Sequence, residues 1–561
     1  MKRKNITSLL VALAAILLLN FFARYYYFRI DLTSDERYTV AEVSKKIIKN
    51  LDDIVFIRIY LDGEMPVTMK KFQQSVREKL EELSNYSDSN LQFEFRNPAE
   101  GSEAERDAVY SELSKKGLIP LIVQENDIQG GTTQRLIFPG VIVNYKGKEF
   151  IINLVQDNPL YSVEENLNFA QQNLEYNFVS VIEQISRDKK PLVAFIEGHD
   201  ELGDYDLGDI MLELANYYAV ERVTLNGNIG ILDDFKAAVI AKPMQKWSEE
   251  DKLVIDQYIM NGGRTAWFLD AVYIHEDSLS RGDMTLGLVC EHNLNDQLFR
   301  YGVRINANVI QDLQCAVWPV NFAPQGMPPD FRPVHWPYFS LLIPPGDNPV
   351  TKGLNLIRSQ YPGVIDTVGL GNNVKKTFLL NSSDRSKITN APLLISLRQI
   401  EDGYSQMGFN QSYLPVAALL EGIFESPFRN RMLSQYNHGQ AFDFKSQSQE
   451  TKMIIVSDGD IIRNDVVRRG SRVIPYPLGV DKYTGQVYGN KEFVKNIINY
   501  LADENDLMQI RNYDYMLRLL DKSKVAGNHT LIILVNTILP VMLVLLSAIV
   551  FLWWRKRRYA R

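Results

Sequence analysis

Pro191–Glu197 reads PLVAFIE, Ala237–Lys242 reads AAVIAK, Thr265–Asp270 reads TAWFLD and Lys452–Ser457 reads KMIIVS. Each is a short, nearly continuous apolar run. A strand half-exposed in a hairpin alternates apolar with polar residues, whereas one buried on both faces of a parallel sheet does not. Amphipathic stretches separate the first three runs. Leu207–Tyr218 is one helix. Ser248 caps a second, with Glu249, Glu250 and Asp251 in its positive first turn and Gly262-Gly263 as a left-handed stop at its end. With Val220–Leu225 as a further strand, the rhythm β-α-β-β-α-β implies an α/β fold around an open, mostly parallel sheet.

This layout resembles the flavodoxin-like sheet of the glutamine-amidotransferase superfamily, and the domain is read as 187–505. Before it, 29–186 reads as a separate α/β layer. Thr39-x-x-Glu42 is a capping-box pattern opening a helix. Asp53–Leu61 is a buried strand, Met69–Tyr86 an amphipathic helix and Leu91–Arg96 an alternating strand. Pro120–Gln124, Gln134–Phe138 and Gly140–Tyr145 are further strands, the last two joined as a hairpin, and Asn166–Ser186 is a helix leading out. The order is similar to a thioredoxin-like domain, but the chain has no Cys-x-x-Cys, so thiol exchange is excluded and a spacer or docking role is expected. Pro319–Pro349, rich in proline and aromatics, is expected to be ordered loop.

Apolar runs stand near both ends. Ile6–Ala23 and Thr530–Trp554 are each long enough to cross a hydrocarbon core of roughly 30 Å. Lys2, Arg3 and Lys4 precede the first; Arg555, Lys556, Arg557, Arg558 and Arg561 follow the second. Basic flanks stay in the cytoplasm, so both tips (1–28 and 530–561, each with its helix) point inward and the body lies outside. In a bacterium that means an inner-membrane protein with a periplasmic body, embedded in the lipid bilayer through two transmembrane helices. Residues 506–529 form a membrane-proximal helix and tether. A cleaved signal peptide is the competing reading of the first run, but no small-x-small site follows it.

The formal net charge is −7. The eight basic residues of the two tips leave about −15 on the remainder, which argues against nucleic acid as a partner. The two cysteines, Cys290 and Cys315, exclude a disulfide scaffold and permit either one bridge or two thiols. The six histidines show no metal-ligand spacing. No P-loop, G-x-G-x-x-G or Ser-x-x-Lys occurs, so no nucleotide or other cofactor is expected.

Two groups remain as candidate ligand-binding residues. His199, Asp200 and Glu201 follow the first strand of the 187–505 unit, where open α/β sheets bind ligands. Asp458 and Asp460 follow the last buried strand. Asp458-Gly-Asp460 superficially resembles a calcium loop, but Arg469 stands where the loop's glutamate belongs, and a turn capping the next helix is the simpler reading. An amidotransferase would also need a nucleophile on a sharp strand-to-helix turn, and neither cysteine is so placed. A non-catalytic role is expected.

Four segments together carry a family resemblance: Arg29–Thr39 (RIDLTSDERYT), Gly198–Glu201 (GHDE), Leu414–Phe424 (LPVAALLEGIF) and Val456–Asn464 (VSDGDIIRN). They resemble the gliding-motility-associated ABC-transporter accessory family, GldG, of Bacteroidetes type, over essentially the whole chain. The resemblance implies a non-catalytic subunit of an ABC-type complex, with separate ATPase and permease subunits as partners. A periplasmic ligand- or glycan-binding module outside any transporter is the alternative.

Overall fold

The structure is a computed structural model. It describes residues 39–512, apart from 127–131, 156–157, 159–160, 188, 277, 280–283, 324–326, 329, 370–372, 398, 400–407, 433–441, 471 and 504–506, together with 529–559 and Ala14. The expected first span therefore lies outside the described residues. The chain divides into two units, Thr39–Tyr513 and the two terminal segments Met1–Tyr38 and Asp514–Arg561.

The large unit opens with α1 (Glu42–Lys49), β1 (Val55–Ile59), α2 (Val67–Ser84), β2 (Leu91–Phe95) and α3 (Glu103–Lys115). Four strands follow: β3 (Leu121–Asn126), β4 (Thr132–Ile137), β5 (Gly140–Tyr145) and β6 (Lys148–Asn153). The sheet order is β2-β1-β5-β6, with β1 parallel to β2 and antiparallel to β5. The hairpin expected between β4 and β5 does not form. β4 pairs with β3 and β5 with β6, because Lys146-Gly147 supplies a two-residue turn with both residues at positive φ. The capping box at Thr39 is not made either: Ala41 is the N-cap, and its N–H donates to Glu175 Oε1 at 2.8 Å. Ser102 and Glu105 form such a box at α3. The expected helix 166–186 is two, α4 (Val163–Gln172) and α5 (Leu174–Ser186).

The second half is built on β7 (Leu192–Glu197), α6 (Asp204–Ala215), β8 (Ala219–Thr224), β9 (Phe235–Ala241), α7 (Glu249–Met260) and β10 (Arg264–Phe268). Next come β11 (Val272–Tyr273), β12 (Met284–Val289), α8 (Asn295–Tyr301), β13 (Val303–Ile305), β14 (Asn308–Asp312), β15 (Cys315–Asn321), β16 (Phe331–Leu342) and β17 (Ile357–Arg358). The chain continues through β18 (Ile365–Thr367), β19 (Val374–Asn381), β20 (Ser386–Asn390), β21 (Leu393–Ser396), β22 (Pro415–Gly422) and β23 (Thr451–Val456), and α9 (Asn490–Ala502) follows. The seven-stranded sheet runs β19-β22-β23-β10-β9-β7-β8. Its five parallel strands, numbered by their own chain order, stand 2-1-3-4-5, a doubly wound order. β22 and β19 extend it antiparallel.

Strand periodicity divides this sheet between two cores. Val193, Phe195, Val239, Phe268 and Ile454 face one side, with α6 and α9, in a core continuous with the first half of the unit. Ala194, Ile240, Trp267 and Ile455 face the other, against α7, α8 and the β-rich residues between β10 and β22. Burial on both faces is why these strands read as continuous apolar runs.

The proline-rich stretch is loop only in part: residues 344–349 lie outside any strand or helix, but much of 319–342 is strand. Within it β15 and β16 form an antiparallel ladder in which Pro319 faces Pro333, with a register irregularity between Cys315 and Val317. Prolines fit where the missing N–H is not needed for the ladder. Beyond α9, the expected helix over 506–521 is described only as a 3-10 turn, Leu507–Asn512; the rest lies outside the described residues.

In the other unit, α10 (His529–Tyr559) contains Pro540. Its Ile533–Arg557 portion is long and apolar enough to cross a membrane, and none of its apolar window is buried within the protein. Twenty-five residues at 1.5 Å each give about 37 Å, more than a hydrocarbon core of roughly 30 Å.

Candidate functional site

The carboxyl ends of β7, β9, β10 and β23 lie side by side, the edge where open α/β sheets place their ligands. Both groups of candidates stand on it. After β7, Gly198 and Asp200 take positive φ (120° and 59°), so the chain reverses sharply. His199 is turned inward, and its carbonyl accepts N–H bonds from Met244 (3.0 Å) and Gln245 (2.9 Å). Its ring stacks on Trp247 with centroids 4.2 Å apart and planes 12° from parallel. Nδ1 lies 3.2 Å from Glu201 Oε1, and Nε2 lies 3.1 Å from Asp251 Oδ2. Glu201 also accepts the His199 backbone N–H at 2.7 Å, and Asp251 Oδ1 that of Gly227 at 2.8 Å. Asp200 is exposed and takes no part.

Burial disfavours a charged imidazole, but the bonds to Asp251 and Glu201 outweigh it and lift His199 to about 9. Asp251 is held below its usual value; burial opposes this, and the His199 bond prevails. His199 is thus an imidazolium clamped between two carboxylates, with both ring nitrogens engaged. It ties the β7 turn to the start of α7. Such a group holds structure together and has no free nitrogen for a ligand.

The second group is larger. Lys242 follows β9, Asp270 follows β10, and Asp458 and Asp460 follow β23. Carboxylate oxygens of Asp270, Asp458 and Asp460 lie within 4.8 Å of one another, a spacing that could hold a metal. The Lys242 ammonium stands among them, 3.0 Å from Asp270 Oδ2 and in tight contact with Asp460 Oδ2. Arg463 reaches Asp460 Oδ1 at 3.2 Å and Asp206 at 3.2 Å. Backbone N–H groups supply further bonds: Gly459 to Asp270 (2.7 Å), Gln360 to Asp458 (2.7 Å) and Asp460 to Asp458 (2.8 Å). The last is the expected capping turn, here on a 3-10 turn, Gly459–Ile462.

Burial would lower the Lys242 ammonium, yet Asp270 and Asp460 hold it above its usual value. Asp460 lies below the carboxylate range because Lys242 and Arg463 outweigh its burial. Asp458 is pushed up, first by burial and then by its acidic neighbours. Nearby, burial pushes Glu276 up to about 7. The lysine thus stands where a metal would sit, as a cation covalently part of the fold. The His199 group draws on Glu201 and Asp251, and the Asp458 group on Lys242, Asp270 and Arg463, so among the described residues the two candidate sets are separate.

Lys242, Asp270 and Asp251 were not among the candidates. Their signal was visible: Lys242 and Asp270 are the charged last residues of AAVIAK and TAWFLD, where a buried strand meets its carboxyl edge. Cys290 and Cys315 are free thiols, and burial pushes both up to about 12. They are poor nucleophiles there.

The family model described as an ABC-type uncharacterized transport system matches residues 190–497, more than half of the chain. The chain belongs to this family. The match spans the seven-stranded sheet, both clusters on its edge and the β-rich residues between β10 and β22. A second model, a domain of unknown function, matches residues 34–144. An uncharacterized protein of Borreliella burgdorferi is 19% identical over 556 residues, covering 95% of this chain and 94% of its own. Among solved structures, an IFT52 N-terminal domain is similar with a TM-score of 0.31 and 10% identity, over 55% of this chain and 96% of that one. A putative ThuA-like protein from Parabacteroides merdae gives 0.26 and 13%, over 56% and 90%. At these scores neither likeness bears on fold or function.

Proposed function

We propose that this chain is a non-catalytic, membrane-anchored subunit of an ABC-type transporter complex of the gliding-motility kind. Its large unit stands in the periplasm, and separate ATPase and permease subunits complete the assembly. Family membership carries the reading. α10 supports a membrane anchor, and the basic residues of its last turns, Arg555 to Arg558, support a cytoplasmic tip. The internally paired groups on the sheet edge support a non-catalytic role, since the place where chemistry would occur is filled by the chain's own ion pairs. The first half of the large unit is read as a thioredoxin-like spacer without redox function.

Affinity purification of the full-length chain from membranes in gentle detergent, with mass spectrometry of co-purifying proteins, tests this. An ATPase and a multi-span permease in fixed ratio are expected. Recovery of the chain alone would overturn the transporter reading. Reporter fusions at each terminus test the topology: both tips should report a cytoplasmic location, and a periplasmic N-terminus would remove the first span from the proposal.

A further inference from the structure

Away from the sheet edge, two short ladders stand together among the residues between β10 and β22. β13 and β18 place Arg304 directly opposite Asp366, and both are exposed. β14 and β20 place Asn308 directly opposite Asn390. An open cavity of about 600 Å³ lies over them, with Gln411 on its rim. A second, about 510 Å³, adjoins it at Arg304 and Asp366 and is flanked by Phe299 and Phe378. Together they make one groove, polar at one end and aromatic at the other.

The polar end is organised by hydrogen bonds that fix its amides. Asn308 Oδ1 accepts the Val364 N–H at 3.0 Å, and Gln411 Oε1 accepts the Ile388 N–H at 2.9 Å. These bonds use the amide oxygens of both side chains. Asn306 bridges the charged pair, accepting from Arg304 Nε and donating to Asp366 Oδ2, both at 2.8 Å. The lining brings together the amide side chains of Asn306, Asn308, Asn390 and Gln411 and the carboxylate of Asp366, and among the described residues its charges are Arg304 and Asp366, which cancel. Phe299 and Phe378 are 43% and 37% exposed.

We propose that this groove binds a neutral oligosaccharide. A sugar hydroxyl both donates and accepts, so an array of them matches fixed amides beside a carboxylate. The apolar C–H face of a sugar ring matches an exposed phenyl face, which carries partial negative charge. A charged ligand would leave one partner of the Arg304–Asp366 pair opposed. The proposal does not depend on the transporter reading.

The test uses the full-length chain in phospholipid nanodiscs, free of glycoside detergent. Neutral tetrasaccharides of glucose, mannose and N-acetylglucosamine are titrated by calorimetry, with tetra-alanine as the peptide arm. At least one saccharide should bind with a Kd between about 10 μM and 1 mM. A variant with Asn390→Ala and Phe378→Ala should bind about tenfold more weakly or worse, at an unchanged melting temperature. If that variant misfolds, Asn390→Ala alone serves. No saccharide binding up to about 10 mM, undiminished binding by the variant, or binding of tetra-alanine alone would each overturn the proposal. A chain that purifies without transporter subunits would leave these outcomes unaffected.

Discussion

The carboxyl edge of the parallel sheet and the Arg304–Asp366 groove hold similar side chains in opposite states. On the edge, Asp460 is buried, Lys242 and Asp270 are mostly covered, and the three satisfy one another. In the groove, a cation and an anion on facing strands lie only 3.6 Å apart, yet both are more than half exposed. A buried charge must find its partner inside the protein, whereas an exposed one is solvated and stays available. On the edge where open α/β folds usually bind ligands the charges face one another, whereas on the β-rich residues they face solvent.

Removal of one charge on the edge should break this contrast most sharply. Lys242→Met leaves Asp270 without its cation and Asp460 with Arg463 alone, beside buried Asp458, and should cost about 3–5 kcal/mol in urea denaturation. A loss below about 1 kcal/mol would mean the lysine is not the internal cation described.

His199 gives a pH signature. Its folded value of about 9 lies above the ordinary 6.5. The stabilisation is fully present below pH 6.5 and is lost as pH rises through 9, on the order of 1–2 kcal/mol after discounting for solvent screening. Denaturation midpoints at pH 6.5 and 9.5 should therefore differ in the native chain, and His199→Gln should flatten that difference. An unchanged slope would rule out the clamped imidazolium.

Smaller effects sharpen the comparison. Ser248 Oγ accepts the Asp251 N–H at 3.0 Å and donates to Asp251 Oδ2 at 3.1 Å. Ser248→Ala should cost about 1 kcal/mol as a lost helix cap, seen as a lower thermal midpoint. At the other extreme, Arg304→Ala or Asn390→Ala should change stability by no more than about 0.5 kcal/mol, because water replaces what is removed. A large loss from Asn390→Ala would place the groove with the structural clusters.

Much was legible in particular residues. PLVAFIE, AAVIAK, TAWFLD and KMIIVS became β7, β9, β10 and β23, and Ser248 became a helix cap. Errors arose where pairing decides the element. Prolines in 319–349 suggested loop, but β15 and β16 pair across a facing Pro319 and Pro333, a relation invisible along one strand. Glu42 lost its capping role to Glu175, which is far away in sequence and takes the Ala41 N–H.

The sequence by itself determined that an apolar, mostly parallel sheet exists, that charged residues end its strands, and that an apolar helix stands near the C-terminus, because burial and periodicity are written locally. Only the tertiary structure decided which charges meet. Asp251 comes to His199 from helix α7, Lys242 comes to Asp460 from the end of β9, and Arg304 faces Asp366 through strand register. Coulomb attraction acts through space and desolvation depends on what surrounds a group, and neither follows the order of the chain.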